Sequence, residues 1–115
     1  MRIFRYADAK KVQGRGYSKK VLVPEEELGI RGSFIQEVSF KKGDTVQLHH
    51  HKVQTEVFIA LSEGTFMING ELIKLGPGDA LLCEPMDVHG NPVIEKDFKI
   101  LVLKINHVED DIEWD

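Results

Sequence analysis

Turn-forming residues punctuate this sequence, and no stretch between them carries a helix-period pattern of useful length. They stand at Gln13-Gly14-Arg15-Gly16, Lys41-Lys42-Gly43-Asp44, Asn69-Gly70, Gly76-Pro77-Gly78-Asp79 and Asn91-Pro92. Glycine and asparagine tolerate the positive φ that tight turns need, and proline fixes φ while removing an N–H. Asn69-Gly70, set between two short apolar-rich runs, is the strongest hairpin signal, because both positions of a type I′ turn take positive φ. The runs between turns read as strands: Tyr17–Val23 (ended by Pro24), Gly32–Phe40, a histidine-bearing strand, Glu56–Leu61, Thr65–Ile68, Glu71–Leu75, Ala80–Cys83, Val88-His89 and Phe98–Ile105. Arg2–Tyr6 reads as a further short strand, and Glu25–Leu28 as a loop or one helical turn. Many short strands spaced by glycine and proline turns predict an all-β sandwich or barrel.

Period-two alternation assigns faces. Phe34, Gln36, Val38 and Phe40 share one side of their strand, with Ile35, Glu37 and Ser39 on the other. Phe98–Ile105 is apolar on both sides and reads as a fully buried strand. A chain of 115 residues with 42% hydrophobic content suits one domain with a real core. We expect a core barrel at about 34–105, N-terminal strands in 1–33 and an acidic tail at 106–115.

Charge excludes some partners. A net charge of −4 argues against a general nucleic-acid binder. The first twenty residues carry seven bases against Asp8 alone, and the last seven carry five acids and no base. Such ends read as solvated, or as pairing with each other within the fold or across a dimer. The single cysteine, Cys83, rules out an intrachain disulfide. No apolar run nears the roughly eighteen residues of a membrane span, and Met1–Asp8 lacks the apolar core of a signal sequence. The expected location is the cytoplasm.

The chemistry concentrates between Gly43 and Gly64. His49 and His51 alternate on one strand and so project to the same side. After a bend at Lys52–Thr55, Glu56 opens the next strand. Two imidazoles and a carboxylate brought together across a hairpin form the ligand set of a non-haem metal site, and His89 is the best candidate for a fourth ligand. His50 faces the other way and reads as an exposed polar residue. Gln47 shares the His49 face, and Gln36 stands on the apolar face of its strand, so both are candidates to line the pocket. Phe58 and Cys83 are candidates too, although Phe58 and Phe66 also suit plain packing and a buried thiol behaves as a small hydrophobe. His107 reads as a surface residue.

Gly43-(five residues)-His49-x-His51-(four residues)-Glu56 resembles the first motif of the cupin superfamily, and Gly78-Asp79-(five residues)-Pro85-(three residues)-His89 resembles its second. The likeness spans about Phe34 to Ile105. It departs from the family pattern in having seven residues between Glu56 and Gly64 where six are usual, which reads as a bulge. Pro85 and His89 are one residue closer than the commonest spacing, Asp87 stands where glycine is frequent, and Val93 stands where an asparagine is frequent.

The resemblance implies an all-β, single-domain cupin β-barrel or jelly roll, with His49, His51, Glu56 and His89 holding one divalent ion: Fe, Mn, Ni, Cu, Co or Zn. It implies a small-molecule ligand or substrate and a homodimer formed through the N-terminal strands. Two functions fit. One is a metal-dependent enzyme on a small polar molecule, of the dioxygenase or the isomerase, epimerase or decarboxylase type. The other is a non-catalytic ligand- or sugar-binding barrel in which the metal anchors the ligand or the fold. A metal-free sugar-nucleotide isomerase would require a broken ligand set, and here the set is intact.

Overall fold

Strands this short are not stable as isolated pairs, and they gain stability by assembling into larger sheets with a shared core. The computed structural model describes residues 1–115. Its strands are β1 (Lys11–Gln13), β2 (Ser18–Val23), β3 (Phe34–Phe40), β4 (Val46–His50), β5 (Thr55–Ala60), β6 (Gly64–Ile68), β7 (Glu71–Leu75), β8 (Ala80–Cys83), β9 (His89–Asn91), β10 (Phe98–Ile105) and β11 (Glu113–Trp114). One antiparallel sheet runs in the order β1-β2-β3-β10-β5-β8, the other β11-β4-β9-β6-β7. The all-β jelly-roll expectation holds, as two sheets packed on one core.

Period-two faces build that core. Val38, Phe40, Phe58, Ala60, Phe66, Phe98, Ile100 and Val102 are all buried in one cluster. Phe40 stacks on Phe98 at 4.5 Å, Phe58 on Phe66 at 5.3 Å, and Phe40 meets Phe66 edge-on at 5.9 Å. Each such aromatic pair adds about 0.5–1.5 kcal/mol beyond its buried area. The Asn69-Gly70 turn joins β6 and β7 with Ile68 opposite Glu71, and φ is 48° at Asn69 and 82° at Gly70, as a type I′ turn requires.

Several expectations change. Arg2–Tyr6 is not a strand: the chain runs into a 3₁₀ turn at Tyr6–Asp8, and the first strand is the exposed β1. Side chains tether this segment in place of a ladder. Arg2 bonds to Glu27, the Tyr6 hydroxyl donates to Glu37 at 2.6 Å, and Lys20 lies over the Tyr6 ring. Glu25–Leu28 does form one helical turn, stopped by Gly29 at φ 75°. β10 is not buried on both faces. Phe98, Ile100 and Val102 point into the core, whereas Lys99 and Ile105 are exposed and Leu101 and Leu103 half-buried. The acidic tail is not simply solvated, because Glu113–Trp114 pairs with β4, placing Glu113 opposite His50 and Trp114 opposite His49.

Candidate metal centre

The two sheets each contribute to one cavity. From the second sheet β4 supplies His49 and β9 supplies His89, directly opposite in the ladder. His51 follows β4 immediately, and Glu56 lies on β5 of the first sheet. One ligand atom from each of His49, His51 and His89 lies within 4.8 Å of the others. Glu56 Oε1 is 3.0 Å from His51 Nε2 and 3.5 Å from His89 Nε2. All four predicted ligands therefore converge.

Backbone carbonyls fix the imidazoles. His49 Nδ1 lies 2.8 Å from the Gln47 carbonyl, His51 Nδ1 2.5 Å from that of Asp111, and His89 Nδ1 2.8 Å from that of Asp87. A carbonyl only accepts, so each Nδ1 carries the proton and each Nε2 presents a lone pair. Such outer partners set tautomer and ring orientation in metal-ligating histidines.

The resulting geometry fits a cation. In neutral His51, the Nε2 lone pair would face a carboxylate oxygen at 3.0 Å, two acceptors with nothing shared between them. Two ligand atoms about 2.1 Å from one ion and at right angles to it sit about 3 Å apart. Burial alone would raise the Glu56 carboxyl; in the metal-free cavity a proton shared with His51 or His89 Nε2, and then the charge of Lys104, hold it well below the carboxylate range. Burial also lowers His49 to about 4, so that ring is neutral and available.

A bulge explains the main misplacement. Between Val46 opposite Asn91 and His49 opposite His89, β4 spends one residue more than β9. Val46 and His49 both line the cavity in consequence, and Gln47 does not. Gln47 is exposed, donates to the Asp115 carbonyl at 3.1 Å and meets Arg15 at 3.4 Å. Gly90 sits against this bulge. A Cβ there would lie 2.8 Å from the Val46 carbonyl oxygen and 3.0 Å from that of Gln47.

Gln36 and Phe58 do line the cavity. Cys83 lies behind it: buried, opposite Glu56 in the ladder, with Sγ 3.2 Å from His89 Nδ1. Burial, then the charges of Glu56 and Asp87, push this thiol up to about 12, so it is a protonated packing group. His107 is half-buried, its Nδ1 paired with Gln54 Oε1 at 2.7 Å and its ring edge-on to Phe34. His50 is also half-buried and bonds Asp115 at 2.9 Å.

Sequence reasoning missed Lys104, Tyr17, Asn91 and Trp114, all of which line the cavity of about 110 Å³. The Lys104 signal was present, since it continues the inward series Phe98, Ile100, Val102 and stands opposite Glu56 in the ladder. Its Nζ is 3.4 Å from Glu56 Oε2. Burial, then the Glu56 charge, raise the Tyr17 phenol, which stays protonated. Trp114 packs 5.0 Å from the His49 ring and carries the Arg15 guanidinium at 4.0 Å on its face.

A family model described as a cupin domain matches residues 36–103. Among solved structures, KdgF from Halomonas sp. superposes with a TM-score of 0.78 at 19% identity, covering 96% of this chain and 97% of that one. A predicted oxalate decarboxylase from Thermotoga maritima gives 0.76 at 20% identity, with 91% and 99% covered. The nucleoside dehydratase Pac13, from Streptomyces, gives 0.76 at 13% identity, with 100% and 91% covered. At these identities the likeness is one of fold. No curated protein matches the chain.

Proposed function

The chain belongs to the cupin family, and on that premise we propose that it is a metal-dependent enzyme acting on a small polar molecule. One observation carries the reading: the Nε2 atoms of His51 and His89 converge on the Glu56 carboxylate while every Nδ1 is tied to a carbonyl. His49, His51, His89 and Glu56 would hold one divalent transition ion. Bound there, such an ion supplies Lewis-acid polarisation of a substrate oxygen or, for a redox-active metal, oxygen chemistry.

The rest of the cavity favours catalysis over passive binding. Tyr17 brings a phenol that keeps its proton and Lys104 an ammonium, so groups able to give a proton or face a developing negative charge stand beside the ligand set. Apolar walls from Phe58, Phe66, Ile100 and Val102 limit water around it. No helix is long and apolar enough to cross a membrane, and the lone thiol Cys83 suits the cytoplasm as the working compartment.

Elemental analysis of protein purified without added metal tests the reading. One Fe, Mn, Ni, Cu, Co or Zn per chain is expected, and loss of it in His51→Ala. Wild-type protein that holds no metal and takes none up on soaking would refute it.

A further inference from the structure

Once the cavity's internal bonds are assigned, two polar groups are left with capacity to spare. Gln36 is 4% exposed, lines the cavity, and its Oε1 is buried with no hydrogen-bond partner. A buried amide oxygen of this kind carries a desolvation penalty until a donor satisfies it. Lys104 reaches Glu56 through a single long contact at 3.4 Å, which leaves most of its three N–H donors free. The two groups are neighbours across the β3–β10 ladder: Gln36 stands opposite Val102, and Lys104 is the next inward residue on β10. The Asn91 amide, by contrast, is committed to the Thr65 carbonyl at 2.7 Å.

Charge points the same way. Glu56 is the only acid lining the cavity, and Lys104 offsets it. A divalent ion on the histidines would then leave two positive charges uncompensated in a small, mostly apolar cavity. The remaining lining limits what can answer them. A volume of about 110 Å³ lies below the roughly 150 Å³ cavity that takes benzene, so the enclosed part of a ligand is only a few non-hydrogen atoms. The apolar walls would leave the outer oxygens of an inorganic oxyanion without partners, but they suit a short carbon chain.

Resting on the metal reading, we propose that the site selects a small carboxylic acid bearing a hydroxyl on the adjacent carbon. Lys104 binds the carboxylate, and the adjacent hydroxyl donates to the unpartnered Gln36 Oε1. Lys104 is thus the specificity determinant of the pocket, separating acids from neutral analogues of the same shape.

The test uses cobalt(II)-loaded full-length protein, with metal per chain counted first in every variant. Glycolate, glycolamide and inorganic phosphate are titrated by calorimetry and followed in the cobalt visible spectrum. Wild type should bind glycolate about tenfold or more tighter than glycolamide, the scale of one charge-assisted contact. Phosphate should bind more weakly than glycolate. Lys104→Gln, which keeps a hydrogen-bonding tip for Glu56, should bring the two organic ligands within about twofold, and Lys104→Arg should restore the preference. Gln36→Leu should weaken glycolate by about tenfold with the metal retained. Equal binding of glycolate and glycolamide by metal-loaded wild type would overturn the proposal. A preference surviving in Lys104→Gln, or tighter binding of phosphate, would do the same. If Lys104→Gln loses its metal, Lys104→Arg decides: the preference kept supports the assignment, and the preference lost refutes it. Wild type that holds no cobalt overturns the metal reading itself, and this inference with it.

Discussion

Removing the Asp111 carboxylate should loosen the metal centre from outside it. Asp111 accepts from the backbone N–H groups of Lys52, Val53 and Gln54 at 2.8, 2.9 and 2.9 Å, closing the bend between β4 and β5. Its own carbonyl accepts from His51 Nδ1 at 2.5 Å. Burial would raise this carboxyl, but the three N–H donors and His51 hold it below its ordinary value. In Asp111→Ala, water can reach the N–H groups of Lys52 and Val53, both exposed, but Gln54 is buried. One stranded donor at about 1–3 kcal/mol plus two partly compensated bonds gives a loss of about 2–3 kcal/mol. For a chain of this size that is a fall in Tm of about 8–15 °C. The carbonyl remaining at position 111 would no longer be held against His51, and losing such an outer partner costs about 10–100-fold in metal affinity. Differential scanning calorimetry of the metal-free protein reads the first effect, and competition with a chromogenic chelator reads the second. An Asp111→Ala protein with unchanged Tm and unchanged affinity would refute the tail's role in orienting His51.

Gly90→Ala should cut metal affinity by about tenfold or more in the chelator assay, because the new methyl would press on the β4 bulge that carries the Gln47 carbonyl; unchanged affinity would show the bulge to be compliant. Between pH 6.5 and 4 the metal-free protein should lose stability as pH falls. His49, at about 4 folded against 6.5 unfolded, binds fewer protons in the folded state, so the unfolded state gains in that window. A Tm flat across the window in wild type, or an equal slope in His49→Gln, would contradict this. The outward face of the first sheet carries Val57 opposite both Leu103 and Leu82, with Ile59 opposite Leu101. We expect this apolar patch, rather than the N-terminal strands, to join two copies, so Leu82→Lys should convert a dimer to a monomer in light scattering; a wild-type monomer would exclude it.

The fold was legible where local chemistry dictates structure. Asn69-Gly70 forms its turn because both residues accept positive φ, and Phe34 to Phe40 keep the faces their alternation assigns. The ligand set was legible because His49-x-His51 survives as alternation on one side of the strand. What stayed hidden depends on contacts distant in sequence. The bulge that turns Gln47 outward appears only once β4 is laid against β9. Nothing in Glu109–Asp115 announces that Asp111 caps a bend fifty-seven residues earlier or that Trp114 lies beside His49. Lys104 lies between these cases: the parity of β10 places it inward, but the apolar run on both sides of that strand concealed the alternation.

The most direct measurement is anomalous diffraction from a crystal of the metal-loaded protein, recorded on either side of the metal's absorption edge. The expected result is one peak per chain, about 2.0–2.2 Å from the Nε2 atoms of His49, His51 and His89 and from an oxygen of Glu56. Each Nδ1 should still face its carbonyl. A peak bound through Nδ1, one that leaves out Glu56, or one lying outside this cavity would contradict it.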